Sequence, residues 1–179
     1  YTENGLWDDA TNALKSVVRL DPGNALARSK LADIYKSRKM FYDAVSEYKK
    51  ASESNPKDAV SQYNLGVAYV GGNEKDEATR AFMRAIEINP NYTDAHFSLG
   101  KIYLDKKLLD EAVTEFKKIT DINPHHALAH YHLGLTYYAK GDIAYAIDAY
   151  KKSIEIDPKN PNVNYDLGVV YSDVRLFDE

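Results

Sequence analysis

Four of the five histidines fall within the eight residues His125-His126-Ala127-Leu128-Ala129-His130-Tyr131-His132. Imidazoles gathered this way invite a metal reading, because the neutral ring nitrogen is a common ligand for zinc and copper. The spacing argues against it. On a helix of about 3.6 residues per turn, His130 and His132 point roughly 200° apart and cannot share an ion. His126 and His130, four positions apart, make a two-ligand clamp at most, and neither a cysteine nor a placed carboxylate supplies a third ligand. No metal site is expected. The chain has no cysteine, which excludes disulfides, thiol nucleophiles and thiolate-bound zinc. It has no HExxH and no GxSxG, and Gly71-Gly72 lacks the adjoining Lys and Ser/Thr of a phosphate loop. No catalytic residue and no cofactor is expected, so the chain reads as a non-enzyme.

The elements that carry these residues follow from composition and period. With 44% hydrophobic and 28% charged residues, the 179-residue chain is of ordinary globular composition. Its formal net charge of -4 provides no basic field for nucleic acid or an anionic membrane. No apolar run approaches the about 18 residues that span a bilayer, and no signal peptide is recognisable. Lack of cysteine favours a cytoplasmic location and leaves a bacterial periplasm open. The chain opens on Tyr1 rather than Met, which points to a piece of something longer.

Pro22, Pro56, Pro90, Pro124 and Pro158 stand 34 residues apart. In the same period recur Leu31, Leu65, Leu99, Leu133 and Leu167, each followed by Ala or Gly, and Tyr35, Tyr69, Tyr103, Tyr137 and Tyr171. An alanine column (Ala10, Ala44, Ala78, Ala112, Ala146) and a large column (Leu14, Tyr48, Phe82, Phe116, Tyr150) complete the pattern. Within a period, apolar residues at helical spacing predict one helix over about 127–139 and a second over about 143–156. Gly141, Asn73 and Gly5 suit a left-handed turn, whereas Lys39, Lys107 and Arg175 at that phase must accept strain. Asn24, Asp58, His126 and Asn160 stand where a helix cap is needed. Exposed lysine pairs such as Lys117-Lys118 recur with the scaffold and read as a solvated outer face.

These columns resemble the tetratricopeptide repeat over the entire chain, with one departure: the family's Trp column holds Arg28, Gln62, His96, His130 and Asn164. The resemblance implies an all-α, right-handed superhelical solenoid of antiparallel helix pairs. Full repeats are expected at 25–58, 59–92, 93–126 and 127–160. Residues 1–24 then form a partial repeat (the tail of a first helix and a complete second helix), and 161–179 a partial repeat with a first helix only. It implies further that the first helices line a concave groove for an extended peptide or a partner helix. Transferred to this sequence, the groove holds an aromatic ladder of Tyr63, Phe97, Tyr131 and Tyr165. Around it stand Asn64, Ser98, His132 and Asp166, then Val67, Lys101 and Leu135, and Tyr138. Part of each ring is open to a structural role between helices. Members that clamp a chaperone's C-terminal carboxylates use Lys and Asn where this chain has Ser29 and Asp33, Asn where it has Asn64, and Lys and Arg where it has Asp94 and Ser98; only the Asn matches and the cations are lacking, so that mode is not expected.

The expected function is a non-catalytic protein-interaction scaffold. A self-assembling scaffold of a bacterial complex or organelle, and the recognition arm of a larger enzyme, are the alternatives. Homo-oligomers are expected to use Leu167, Val170 and Tyr171, which a missing second helix would leave partly exposed.

Overall fold

The computed structural model describes residues 3–177, in which ten α-helices and no strand occur. They are α1 (Glu3–Leu20), α2 (Ala25–Ser37), α3 (Phe41–Ser54), α4 (Ala59–Gly71), α5 (Lys75–Ile88), α6 (Thr93–Asp105), α7 (Leu109–Ile122), α8 (Ala127–Lys140), α9 (Ile143–Ile156) and α10 (Pro161–Phe177). Starts and stops obey local chemistry. Asn24, Asp58 and His126 cap α2, α4 and α8 by accepting from the backbone N–H of Ala27, Val60 and Ala129. Acidic residues occupy the first turns of α3, α5 and α7, where the helix dipole is positive.

Each turn from a first to a second helix is closed by one left-handed residue: Lys39 (φ 59°), Asn73 (φ 62°), Lys107 (φ 59°) and Gly141 (φ 82°). That residue lets the chain bond back over the helix end, as in Met40 N–H to Tyr35 O at 2.8 Å and Asp142 N–H to Tyr137 O at 2.9 Å. The recurring tyrosines thus mark the carbonyl that ends each first helix. The outermost turns differ from expectation. Both α1 and α10 run as unbroken helix through Gly5 and Arg175. A left-handed lysine or arginine is strained, and at the interior turns the docking of a second helix offsets that strain. At 175 no second helix among the described residues does so, and the backbone remains helical.

The chain divides into two compact units, residues 1–95 and 96–179. In the first, α1 packs on α2, α2 on α3, α3 on α4 and α4 on α5. Ala44, Ala78 and Tyr48 are fully buried and Phe82 nearly so. Gly66 lets the Phe82 ring approach so closely that an added Cβ would stand 2.5 Å from it. In the second unit Ala112, Phe116, Ile119, Ala129 and Leu133 form one core cluster. Ala146, Tyr150, Val163 and Val170 form another, so in this unit the alanine column and the large column serve as the stacked interior of helix pairs. Burial of each such ring contributes about 1.5–3 kcal/mol.

Val170 corrects the sequence reading. It is fully buried against α9 rather than part of an exposed patch, and Leu167 packs half-buried on the same cluster; only Tyr171, 43% exposed, stands out from that trio. The helix α10 finds its apolar contacts on α8 and α9 within its own unit.

The column that lacks tryptophan is filled in an unexpected way. Arg28 bonds to Glu47 at 2.6 Å and His96 Nδ1 to Glu115 at 2.6 Å, both across 19 residues and both largely buried. At the equivalent places Gln62 and His130 face the phase of Ala81 and Ala149, too short to reciprocate.

Candidate functional site

The expected groove residues fall on first helices in both units. In the first unit Tyr63, Asn64 and Val67 lie half-buried on α4. Tyr63 packs on Phe82 and Tyr92 at ring distances of 5.6 and 5.1 Å, and Asn64 accepts a hydrogen bond from Lys36 Nζ at 3.2 Å. Lys36 also meets Asp33, which in turn accepts from the buried Tyr48 hydroxyl at 2.6 Å. Burial, and then this carboxylate, push the Tyr48 hydroxyl well above the usual tyrosine range.

In the second unit Phe97, Ser98 and Lys101 lie on α6, Tyr131, His132, Leu135 and Tyr138 on α8, and Tyr165 and Asp166 on α10. Most are half-buried, while Lys101 and Tyr165 are exposed, Tyr165 to 72%. Two tyrosine–carboxylate bonds join α8 to α10 in register: Tyr131 donates to Asp166 at 2.8 Å, and two helical turns on Tyr138 donates to Asp173. Burial and then Asp166 push the Tyr131 hydroxyl up to about 12, and the Asp173 bond raises Tyr138. Asp173 escaped the sequence reading; its signal was the seven-residue step from Asp166 that matches Tyr131 to Tyr138.

His132 holds on α8 the phase that Asp166 holds on α10, but the residue 35 positions before it is Phe97, which offers no hydroxyl. The imidazole therefore packs instead of bonding. It stacks on Phe116 (5.1 Å, 21°) and meets Phe97 edge-on (5.0 Å, 87°), with Nδ1 buried and without a hydrogen-bond partner among the described residues. Burial, and then the Lys101 ammonium, lower it to about 4. The other histidines have local duties: His126 Nδ1 caps α8, and His130 Nε2 donates to Pro124 O at 2.9 Å. No three metal-ligating side chains converge among the described residues.

Tyr150 shows the same column logic. Its counterpart Tyr48 meets Asp33, but the residue 15 positions before Tyr150 is Leu135, and the buried Tyr150 hydroxyl has no protein partner among the described residues.

This arrangement places half-buried rings, the exposed Tyr165 and a few hydrogen-bonded polar groups on the first helices. No described helix is long and apolar enough to cross a membrane. No curated protein matches the sequence. Profiles described as tetratricopeptide repeat match residues 1–62, 59–92 and 81–114, and one described as TPR repeat matches 101–141 and 135–173. Among solved structures, a crystal structure of MamA is 33% identical with a TM-score of 0.82, covering 87% of this chain and 91% of that one. YrrB, described as a TPR protein with an unusual peptide-binding site, is 27% identical with a TM-score of 0.80, covering 92% and 85%. MamA from Desulfovibrio magneticus RS-1, at 23% identity, TM-score 0.79 and 86% of each chain, shares the fold. Helix pairs of fixed period, profile matches running from residue 1 to residue 173 and a 33% identical solved relative make this chain a member of the tetratricopeptide repeat family, an all-α solenoid whose fold supports protein interaction.

Proposed function

We propose that the chain is a non-catalytic scaffold that binds an extended peptide or a partner helix along the exposed side of its first helices. The observation that carries this is the state of the ladder rings. Phe97 and Tyr131 pack on Phe116 and Tyr150 yet remain partly open to solvent, and Tyr165 on α10 is exposed. Rings already fixed by packing lose little entropy on binding and make good anchors. The likeness to YrrB, whose description names a peptide-binding site, supports the same reading.

Panning a displayed peptide library on the folded protein provides the probe. Phe97→Ala or Tyr131→Ala is expected to weaken the selected peptide by about 1–2 kcal/mol, while Lys117→Ala on the solvated face of α7 leaves it unchanged. Equal losses at Lys117 and at the rings, or no peptide recovered, would overturn the assignment.

A second reading, self-association through α10, is favoured by one detail. Wherever Gly66, Gly100 and Gly134 stand, an aromatic ring covers the glycine, but an added Cβ at Gly168 meets nothing within 4 Å among the described residues. With Val170 buried and Leu167 engaged in the core, the exposed Tyr171 is the residue to test. Sedimentation over a wide concentration range is expected to show species above the 20.2 kDa chain, reduced by Tyr171→Glu. A strictly monomeric profile removes this reading.

A further inference from the structure

The column that the family fills with tryptophan is filled differently in the two helix pairs of the first unit. Between α2 and α3 the buried Arg28 reaches Glu47 at 2.6 Å and Pro22 O at 2.8 Å. One repeat on, between α4 and α5, the same two places hold Gln62 and Ala81, whose side chains are shorter. The space stays open. It is a cleft of about 410 Å³, with the buried Leu65 and Tyr69 of α4 and Ala81 of α5 as its floor, and Lys49 of α3 with Glu77 and Arg80 of α5 as its rim. Gln62, Leu65 and Tyr69 fall at i, i+3 and i+7, so one face of α4 carries that floor.

The polar groups of the cleft decide what it can hold. Charge is balanced there: Arg80 bonds Glu77 at 2.7 Å, while Tyr69 first, and then Glu74 and Glu77, favour the charged form of Lys49. An ion would find no net attraction, so the guest is neutral. Lys49 Nζ stands 5.6 Å from the centroid of the Tyr69 ring, so a cation over a π face is already part of this site. The half-buried Gln62 carboxamide is hydrogen-bonded to no described group, which leaves an oriented acceptor and two donors at the cleft wall. A neutral ring with an apolar body, an electron-rich face and one N–H meets all of these. Indole is the side-chain ring that attracts a cation most strongly, and buried it seeks an acceptor for its N–H.

We infer that the Gln62 cleft receives a tryptophan side chain of a partner protein, with the indole N–H on the Gln62 oxygen and the ring between Lys49 and the floor of Leu65 and Ala81. The chain's only tryptophan, Trp7, sits on α1 in another phase, so this is not the place of its own indole. None of the ladder rings lines the cleft. The site is thus a second contact surface, beyond the proposed groove and independent of it.

The test is a titration of the isotopically labelled full chain with N-acetyltryptophanamide into the millimolar range, read as amide shifts in magnetic resonance. N-acetylleucinamide, which lacks the ring, and acetate, which carries a charge instead, are the comparison ligands. Saturable shifts at Gln62, Leu65 and Ala81 are expected with the indole alone. Gln62→Trp, which returns a ring to the vacated column, is expected to abolish them. Should that variant fold poorly, Lys49→Met keeps an exposed aliphatic stem, removes the cation and is expected to weaken binding about two- to fivefold. Equal shifts with N-acetylleucinamide or acetate, binding unaltered by Lys49→Met, or no shifts at the cleft would overturn the inference. Free indole that binds where N-acetyltryptophanamide does not would mark a small-molecule site and overturn the protein partner.

Discussion

A methyl group placed on Gly134 is expected to destabilise the protein by about 2 kcal/mol or more, whereas the same change at Gly168 is expected to stabilise it. The two glycines share a phase but not an environment. At Gly134 the new Cβ would stand 2.5 Å from Cδ1 and Cε1 of Tyr150, a ring with no exposed surface and no room to retreat. At Gly168 no described residue stands within 4 Å of the new methyl, so alanine brings only its better helix propensity, roughly 0.5–1 kcal/mol. Chemical denaturation of Gly134→Ala and Gly168→Ala should therefore move in opposite directions. Because a repeat array is stabilised by nearest neighbours, hydrogen exchange should place the Gly134 damage on α8 and α9. Coincident midpoints for both variants would refute the close-packed register of the glycine and aromatic columns.

The second large effect belongs to acid. His132 is held near 4 by burial and then by Lys101, below the 6.5 of a free imidazole. Above about pH 6.5 the ring is neutral in both folded and unfolded chains and its contribution is fully present. As pH falls from there toward 4, the unfolded chain takes up a proton that the folded chain refuses, and stability drops by about 2–3 kcal/mol in total. Among the described residues the ring meets Phe97 and Lys101 from α6, Phe116 from α7 and Tyr131 on α8, and its buried Nδ1 has no hydrogen-bond partner there. His132→Phe keeps a ring in the cavity and should remove this part of the acid slope. Parallel pH profiles for the two proteins would show that the histidine plays no part.

Much of this was legible in the sequence because the information is periodic. The 34-residue columns gave the helix pair 127–139 and 143–156 to within a residue of α8 and α9. They also marked Asn73 and Gly141 as left-handed turns and Asn24, Asp58 and His126 as caps. What escaped was aperiodic or long-range. The pairs Arg28–Glu47 and His96–Glu115 bridge two helices, and a column read alone shows only that tryptophan is missing. The clue was the alternation of Glu47, Ala81, Glu115 and Ala149 at the partner phase. Burial of Val170 was misjudged because a helix without a following helix was taken to be bare, while α9 covers that side of α10 on its own. The ladder itself was found by phase, but its division between packing and exposure depends on which neighbour each ring meets. Phase alone does not tell Tyr131 on Asp166 from the protruding Tyr165.

The polar bonds between successive first helices also fix the order of the modules. Lys36 is completed by Asn64 in the next repeat, and Tyr131 and Tyr138 by Asp166 and Asp173 in theirs. Exchange the helix pairs α2–α3 and α8–α9 and Asp166 would face the short Ser29 in place of a phenol, while Asn64 would face Tyr138 in place of an ammonium. The repeats are therefore not interchangeable beads. Shuffled or duplicated copies would share a backbone yet lose their matching ends, so an engineer who lengthens this array must copy each unit together with the side chain that receives it.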